Sequence, residues 1–203
     1  MVYLQTHYRT PTLDKFFTIV TMFIDPAVVM VSTMVLLIIS KNKEKASTVV
    51  LFILINTFFT GVLKTFYADP RPFWESSKVV NIGLYCPQEY GNPSGHSWFS
   101  VVLIFGIAIE TFGKGRYYWK FIVGVIFLFL VPTSRFYLGA HSLNQIIQGL
   151  SLGFAMTVLY LVGDGKKYLK FFLYNFSSSK RLKLFVVFCN VLYLGAYYFN
   201  SVH

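Results

Sequence analysis

Charge is what this sequence has little of. Only 13% of its 203 residues are Asp, Glu, Lys or Arg, against about 25% in a typical soluble domain, while 55% are hydrophobic. That shortage argues against an ordinary soluble fold and for a chain that places apolar surface in a bilayer. Cysteine is scarce too. Cys86 falls in a long loop and Cys189 inside an apolar run, so a disulfide framework is not expected. The N-terminus lacks a short apolar region followed by a small-residue cleavage site, so no removable signal peptide is expected. There is no internal repeat and no low-complexity domain.

What the chain does have is long apolar runs. A spanning helix needs roughly 20 apolar residues, and candidates lie at about 20–40, 47–67, 95–112, 117–137, 143–163 and 182–201. The expectation is an all-α, polytopic membrane protein: one domain over 1–203, a bundle of about six transmembrane helices with a short N-terminal interfacial helix. Thr10 before Pro11 is a helix-start signal, and Asp25 before Pro26 is a second one inside the first run. The net charge of +10 does not imply nucleic acid, because the basic residues are scattered through short loops. Threading six spans puts loops 41–46, 113–116 and 164–181, which carry most of the Lys and Arg, on one side. That side is expected to be cytoplasmic. Residues 68–94 and the turn near 138–142 then face a lumen, a periplasm or the outside. The stretch "NFSSSKR" is expected to be a polar linker before the last span.

Three polar clusters interrupt the apolar pattern, all at this second face. They are Lys64 followed by Arg71-Pro72, then Pro93-Ser94-Gly95-His96 at the mouth of the third span, then Ser134-Arg135 with His141 at the mouth of the fifth. Lys64, Arg71 and Arg135 can surround a tetrahedral oxyanion, the arginines through paired hydrogen bonds. Ser94 and Gly95 lie at a helix N-terminus, where anions bind readily, and glycine lets the backbone approach closely. Of His96 and His141, one can attack phosphorus while the other protonates the leaving oxygen. Each part has a plainer reading: Lys64 as a snorkelling side chain, Arg135 as a headgroup anchor, "PSGH" as a turn before a cap. Their order and common side set the plainer readings back. Among the aromatics, Trp74, Tyr117, Tyr118 and Trp119 read as interface anchors, and Trp98 faces either the pocket or lipid.

Lys64-x6-Arg71-Pro72, Pro93-Ser94-Gly95-His96 and Ser134-Arg135-x5-His141 resemble the three-part signature of the type 2 phosphatidic acid phosphatase superfamily, over a motif core of about 60–145. The resemblance implies a phosphatase that needs no metal or other cofactor and works through a phosphohistidine. It implies His141 as nucleophile and His96 as general acid, with Lys64, Arg71, Arg135, Ser94 and the Gly95 N–H holding phosphate oxygens. Many members carry an aspartate four residues after the nucleophile. Here Gln145 stands there, as in dolichyl diphosphate phosphatases and glucose-6-phosphatases. Gln145 either orients the His141 ring or forms a capping box with Ser142. A small chain of nearly bare spans fits a phospholipid or polyprenyl phosphate whose tail stays in the bilayer. A glucose-6-phosphatase-like sugar phosphatase, a non-catalytic scaffold keeping the fold, and an ion transporter using Glu110 are the competing readings. No sequence feature fixes an oligomeric state.

Overall fold

The computed structural model of the protein describes residues 1–83, 86–108, 118–178 and 180. Among these the regular structure is helical: α1 (Val2–Tyr8), α2 (Pro11–Met22), α3 (Pro26–Ile39), α4 (Lys43–Tyr67), α5 (Pro72–Glu75), α6 (Gly95–Val101), α7 (Tyr118–Tyr137), α8 (Leu143–Leu161) and α9 (Gly165–Ser178). A π-helical stretch, Val102–Ala108, continues α6 without a break.

Local chemistry sets the ends of these helices. Thr10 caps α2 by accepting from the Leu13 N–H, with Pro11 at the first helical position, as the sequence predicts. Asp25-Pro26 divides the first apolar run, so α3 has only 14 residues and a length of about 21 Å. Asn42 caps α4 through a 2.9 Å bond from the Lys45 N–H. The same helix stops at Ala68, whose φ of 45° is left-handed and whose N–H closes onto the Lys64 carbonyl.

One described segment, Lys43–Glu75, is long and apolar enough to cross a membrane. A second qualifies if Leu143–Leu161 and Gly165–Phe176, which meet at 75°, are one bent span. Gly95–Phe105 and Ile122–Tyr137 are apolar but shorter. The expected span at 182–201, the loop 113–116, Glu110 and Cys189 lie outside the described residues. The expected loop 164–181 is corrected: its residues Gly165–Ser178 form α9, and the polar "NFSSSKR" begins as helix. Lysines 166, 167 and 170 share that helix with Leu169, which packs on the core. Such an amphipathic stretch escapes a search for continuous apolar runs.

The core sits among α2, α3, α4, α6, α7 and α8, around Phe52, Ile53, Trp98, Phe99, Val102 and Val131. Trp98 faces neither pocket nor lipid. It is 1% exposed, and its indole N–H donates to Asn56 Oδ1 at 2.7 Å, tying α6 to α4. On α8, Gly149 and Gly153 stand one turn apart beneath α6. A Cβ on them would lie 2.5 Å from the Ser94 carbonyl and 2.6 Å from the Trp98 carbonyl. Their missing side chains let the two backbones touch, which sets the depth of the α6 N-terminus.

The N-terminal helices close the opposite flank. Tyr137 OH donates to Asp14 at 2.8 Å, and Thr21 and Ser134 share a 2.9 Å hydroxyl bond. Gln5, buried on α1, donates to the carbonyls of Val80 and Tyr137 and accepts from the Val80 N–H. The expected N-terminal interfacial helix is therefore two short helices, α1 and α2, latched to the loop at 79–80 and to α7.

Candidate active site

The C-terminus of α4, the short α5, the N-terminus of α6 and the turn between α7 and α8 meet at one end of the bundle. There the polar residues that the sequence places together are buried: Lys64, Arg71, Ser94, His96, Arg135, His141 and Gln145 are each at most 7% exposed. Lys64 is therefore no snorkelling side chain. Its ammonium turns inward to the Glu89 carboxylate.

His141 is held in a defined state. Its Nδ1 lies 2.8 Å from the Gly91 carbonyl oxygen, which can only accept, so Nδ1 carries the proton. The Nε2 atom then keeps its lone pair, 3.3 Å from Arg71 Nη1. Burial, followed by the positive charges of Arg71, Arg135, Lys64 and His96, pushes the imidazole well below its ordinary pKa of 6.5. The ring is neutral at pH 7, which is the state a nitrogen nucleophile needs. His96, second residue of α6, has no hydrogen-bond partner for its buried Nε2 among the described residues.

Arg71 is the hub. It is 1% exposed, donates from Nη1 to the Ala140 carbonyl at 3.0 Å and from Nε to the Glu89 carbonyl at 2.7 Å, and touches Glu89 Oε1 through Nη2 at 3.1 Å. Arg135 comes from α7. Its backbone carbonyl receives the Ala140 and His141 N–H groups, fixing the turn that presents the His141 ring. Its Nη1 lies 3.4 Å from Thr21 Oγ1, at the edge of the cradle, and it lines a cavity of about 30 Å³ together with Asp25 and Asn81.

Ser94 and Gly95 begin α6 as expected, with differences in detail. The Ser94 N–H is already bonded to the Gln145 carbonyl at 3.0 Å, and its hydroxyl accepts from Ser97 Oγ at 3.0 Å. A Cβ at Gly95 would make only an ordinary contact, 3.6 Å from Thr60, so the surrounding protein does not itself demand glycine there. At Gly91, by contrast, a Cβ would fall 2.6 Å from the Gln145 amide, so there the surroundings do call for glycine.

Gln145 is corrected. It does not hydrogen-bond to His141; it forms the capping box with Ser142, its Oε1 accepting from the Ser142 N–H at 3.1 Å. Its Nε2 donates to Asp69 Oδ2 at 3.0 Å and to the Pro70 carbonyl at 2.8 Å. The physical reason is the position at the third residue of α8: the side chain turns back to the helix start and across to the 69–70 loop, while the Gly91 carbonyl holds the ring. The Gln145 amide abuts Gly91, whose carbonyl holds the His141 ring.

Sequence reasoning missed Glu89 and Gly91. Glu89 accepts from both Lys64 and Arg71. Burial alone would raise its pKa, but the charge and hydrogen bond of Lys64, then Arg71 and Arg135, hold the carboxyl below its ordinary value. The available signal was an acid in a chain with only eight, lying five residues before Ser94 between two basic motifs. A loop carboxylate reads as solvated, which hides it.

The sequence profile described as PAP2 superfamily matches residues 45–169, a range that contains all three motif clusters. Human sphingosine-1-phosphate phosphatase 2 is 33% identical over 94 residues, 44% of this chain and 23% of that protein. A dihydrosphingosine 1-phosphate phosphatase of Schizosaccharomyces pombe is 23% identical over 129 residues, 60% of this chain and 30% of that protein. The chain thus spans about a quarter of the length of these curated relatives. Among solved structures, the transmembrane PAP2 type phosphatidylglycerolphosphate phosphatase from Bacillus subtilis aligns with a TM-score of 0.67 and 21% identity, over 81% of this chain and 83% of that one. Aquifex aeolicus LpxE aligns with a TM-score of 0.62 and 26% identity, over 79% and 92%. With its profile match spanning the motif-bearing helices and its fold shared with two such structures, the chain belongs to the PAP2 superfamily.

Proposed function

We propose that this protein is a membrane phosphatase that hydrolyses a lipid phosphate or polyprenyl diphosphate through a phosphohistidine, without a metal. The observation that carries the reading is His141: a buried neutral imidazole with Nδ1–H tied to a carbonyl and an unprotonated Nε2 beside the Arg71 guanidinium. Nε2 attacks phosphorus as the bond to the leaving oxygen breaks, and His96 gives that oxygen its proton. Water, deprotonated by His96, then attacks the phosphohistidine. The P–N bond breaks, orthophosphate leaves and the Nε2 lone pair returns. Arg71, Lys64 and Arg135 balance the charge on the equatorial oxygens, and such electrostatic stabilisation is the main source of rate enhancement in phosphoryl transfer.

The lipid preference rests on surroundings. Phe66, at the same end of α4 as Lys64, and Phe129 on α7 are each more than 70% exposed, a surface suited to acyl chains. The names of the relatives also point to lipid phosphates. In this reading the chain is a single unit of about six spans, with the site at the α4 C-terminus facing a lumen, periplasm or exterior. Phosphate release by the purified protein in detergent with chelator tests it. Phosphatidate, sphingosine phosphate, a polyprenyl diphosphate and glucose 6-phosphate are the panel, with His141→Ala as control. Activity on the lipids that vanadate inhibits and the variant lacks is the expected result. Activity only on the sugar phosphate, or only after Mg²⁺ is restored, overturns it.

A further inference from the structure

Lys64 and Arg71 come from different elements, α4 and the segment before α5, yet both point at one atom, Glu89 Oε1. These are two of the cations that would grip a phosphate oxygen, and the same guanidinium that holds Oε1 also stands beside Nε2 of His141. A carboxylate oxygen and a non-bridging phosphate oxygen present the same charge and acceptor geometry to an ammonium and a guanidinium. We infer that the Glu89 carboxylate occupies the phosphate seat as an internal competitor, and that substrate binds by displacing it. The inference rests on the phosphatase reading only for the word substrate; the seat itself requires only an oxyanion.

The three partners differ in freedom. Arg71 and Lys64 have side chains that are 1% and 9% exposed, whereas that of Glu89 is 41% exposed and rides on the segment preceding α6. The cations are fixed and the carboxylate can swing to solvent. Arg71 keeps its orientation without it, since Nη1 remains bonded to the Ala140 carbonyl and Nε to the Glu89 backbone carbonyl, which does not depend on the side chain. An incoming phosphate carries more charge and more acceptor oxygens than one carboxylate, so it wins the exchange. The bound carboxylate lowers apparent affinity by the fraction of molecules whose seat is free. If that fraction is about one in ten, removing the competitor tightens oxyanion binding about tenfold. Glu89 would thus set how readily the site accepts an oxyanion, discriminating against weakly charged ones.

The test uses orthophosphate and vanadate as probes on the full chain in detergent, with direct binding by calorimetry and inhibition where turnover is present. Two variants separate competition from simple charge. Glu89→Gln removes the negative charge; Glu89→Asp keeps it but is one methylene too short to reach both cations. Competition for the seat predicts that both variants tighten orthophosphate and vanadate several-fold, with KM falling alongside. Should Glu89→Asp behave as wild type while Glu89→Gln tightens, a field effect explains the data and the inference falls. Weaker binding in both variants, with unchanged thermal unfolding, would make Glu89 a support for the cations and also overturn it. The direct binding arm needs no turnover. A chain inactive on every lipid phosphate, yet binding orthophosphate more tightly as Glu89→Asp, would sink the phosphatase reading and leave the seat intact.

Discussion

Replacing Gly91 by alanine is the most demanding test of the site's construction. The added methyl would stand 2.6 Å from Nε2 and Oε1 of Gln145, about 0.8 Å inside ordinary contact. One side must move. The Gln145 amide is not a loose end, because it is bonded to the Ser142 N–H, Asp69 and the Pro70 carbonyl. Giving up those three bonds costs about 1 kcal/mol each, so about 3 kcal/mol of stability. If Gly91 moves instead, 0.8 Å carries its carbonyl from 2.8 Å to about 3.6 Å from His141 Nδ1, beyond hydrogen-bond range. The ring then loses its tautomer lock, and a misplacement of that size lowers kcat on the order of 100-fold. Thermal unfolding and steady-state kinetics on the same preparation distinguish the two routes. Gln145→Ala in the Gly91→Ala background removes the clash, so the double variant should be less damaged than the sum of the singles, with a coupling of about 1 kcal/mol or more. Gly91→Ala with wild-type melting temperature and kcat would refute the steric account of the site.

Four further outcomes follow from the same geometry. Asn56→Leu strands the buried Trp98 indole N–H and should lower stability by about 1–3 kcal/mol, read by denaturant unfolding, with Trp98→Phe in the same background restoring part of it. Gly149→Ala forces the α6 start away from α8 and should reduce kcat more than a matched substitution at exposed Phe154, because the displaced backbone carries Ser94 and His96. The acid limb of kcat/KM that belongs to His141 should lie below pH 6.5, since its ring stays neutral through the range where a free imidazole protonates. The linked stability has a fixed sign: with the folded pKa depressed, the unfolded chain takes the proton first. The His141 contribution is therefore full above about pH 6.5 and is lost as pH falls, and His141→Asn should soften the acid-induced drop in melting temperature.

The sequence alone determined that the described residues are helical, where α2, α3 and α8 begin, and which residues the site draws together. The reason is locality: Thr10-Pro11, Asp25-Pro26 and Ser142-x2-Gln145 act within one turn of helix, and the motif residues are legible as rare charges in an apolar chain. Spans were less legible. Continuous apolar length does not register the turn at 23–25 or the change from α to π at Val102, and it reads the amphipathic α9 as a loop. The tertiary structure decided how the site residues are partnered. Gln145 lies four residues from His141, yet its amide meets the 69–70 loop. The partner of the His141 ring is a backbone carbonyl 50 residues away, which has no side-chain identity to read. Glu89 could join Lys64 and Arg71 only when the segment before α6 folded back over α4 and the residues before α5, because a carboxylate's partner is set by what surrounds it in space.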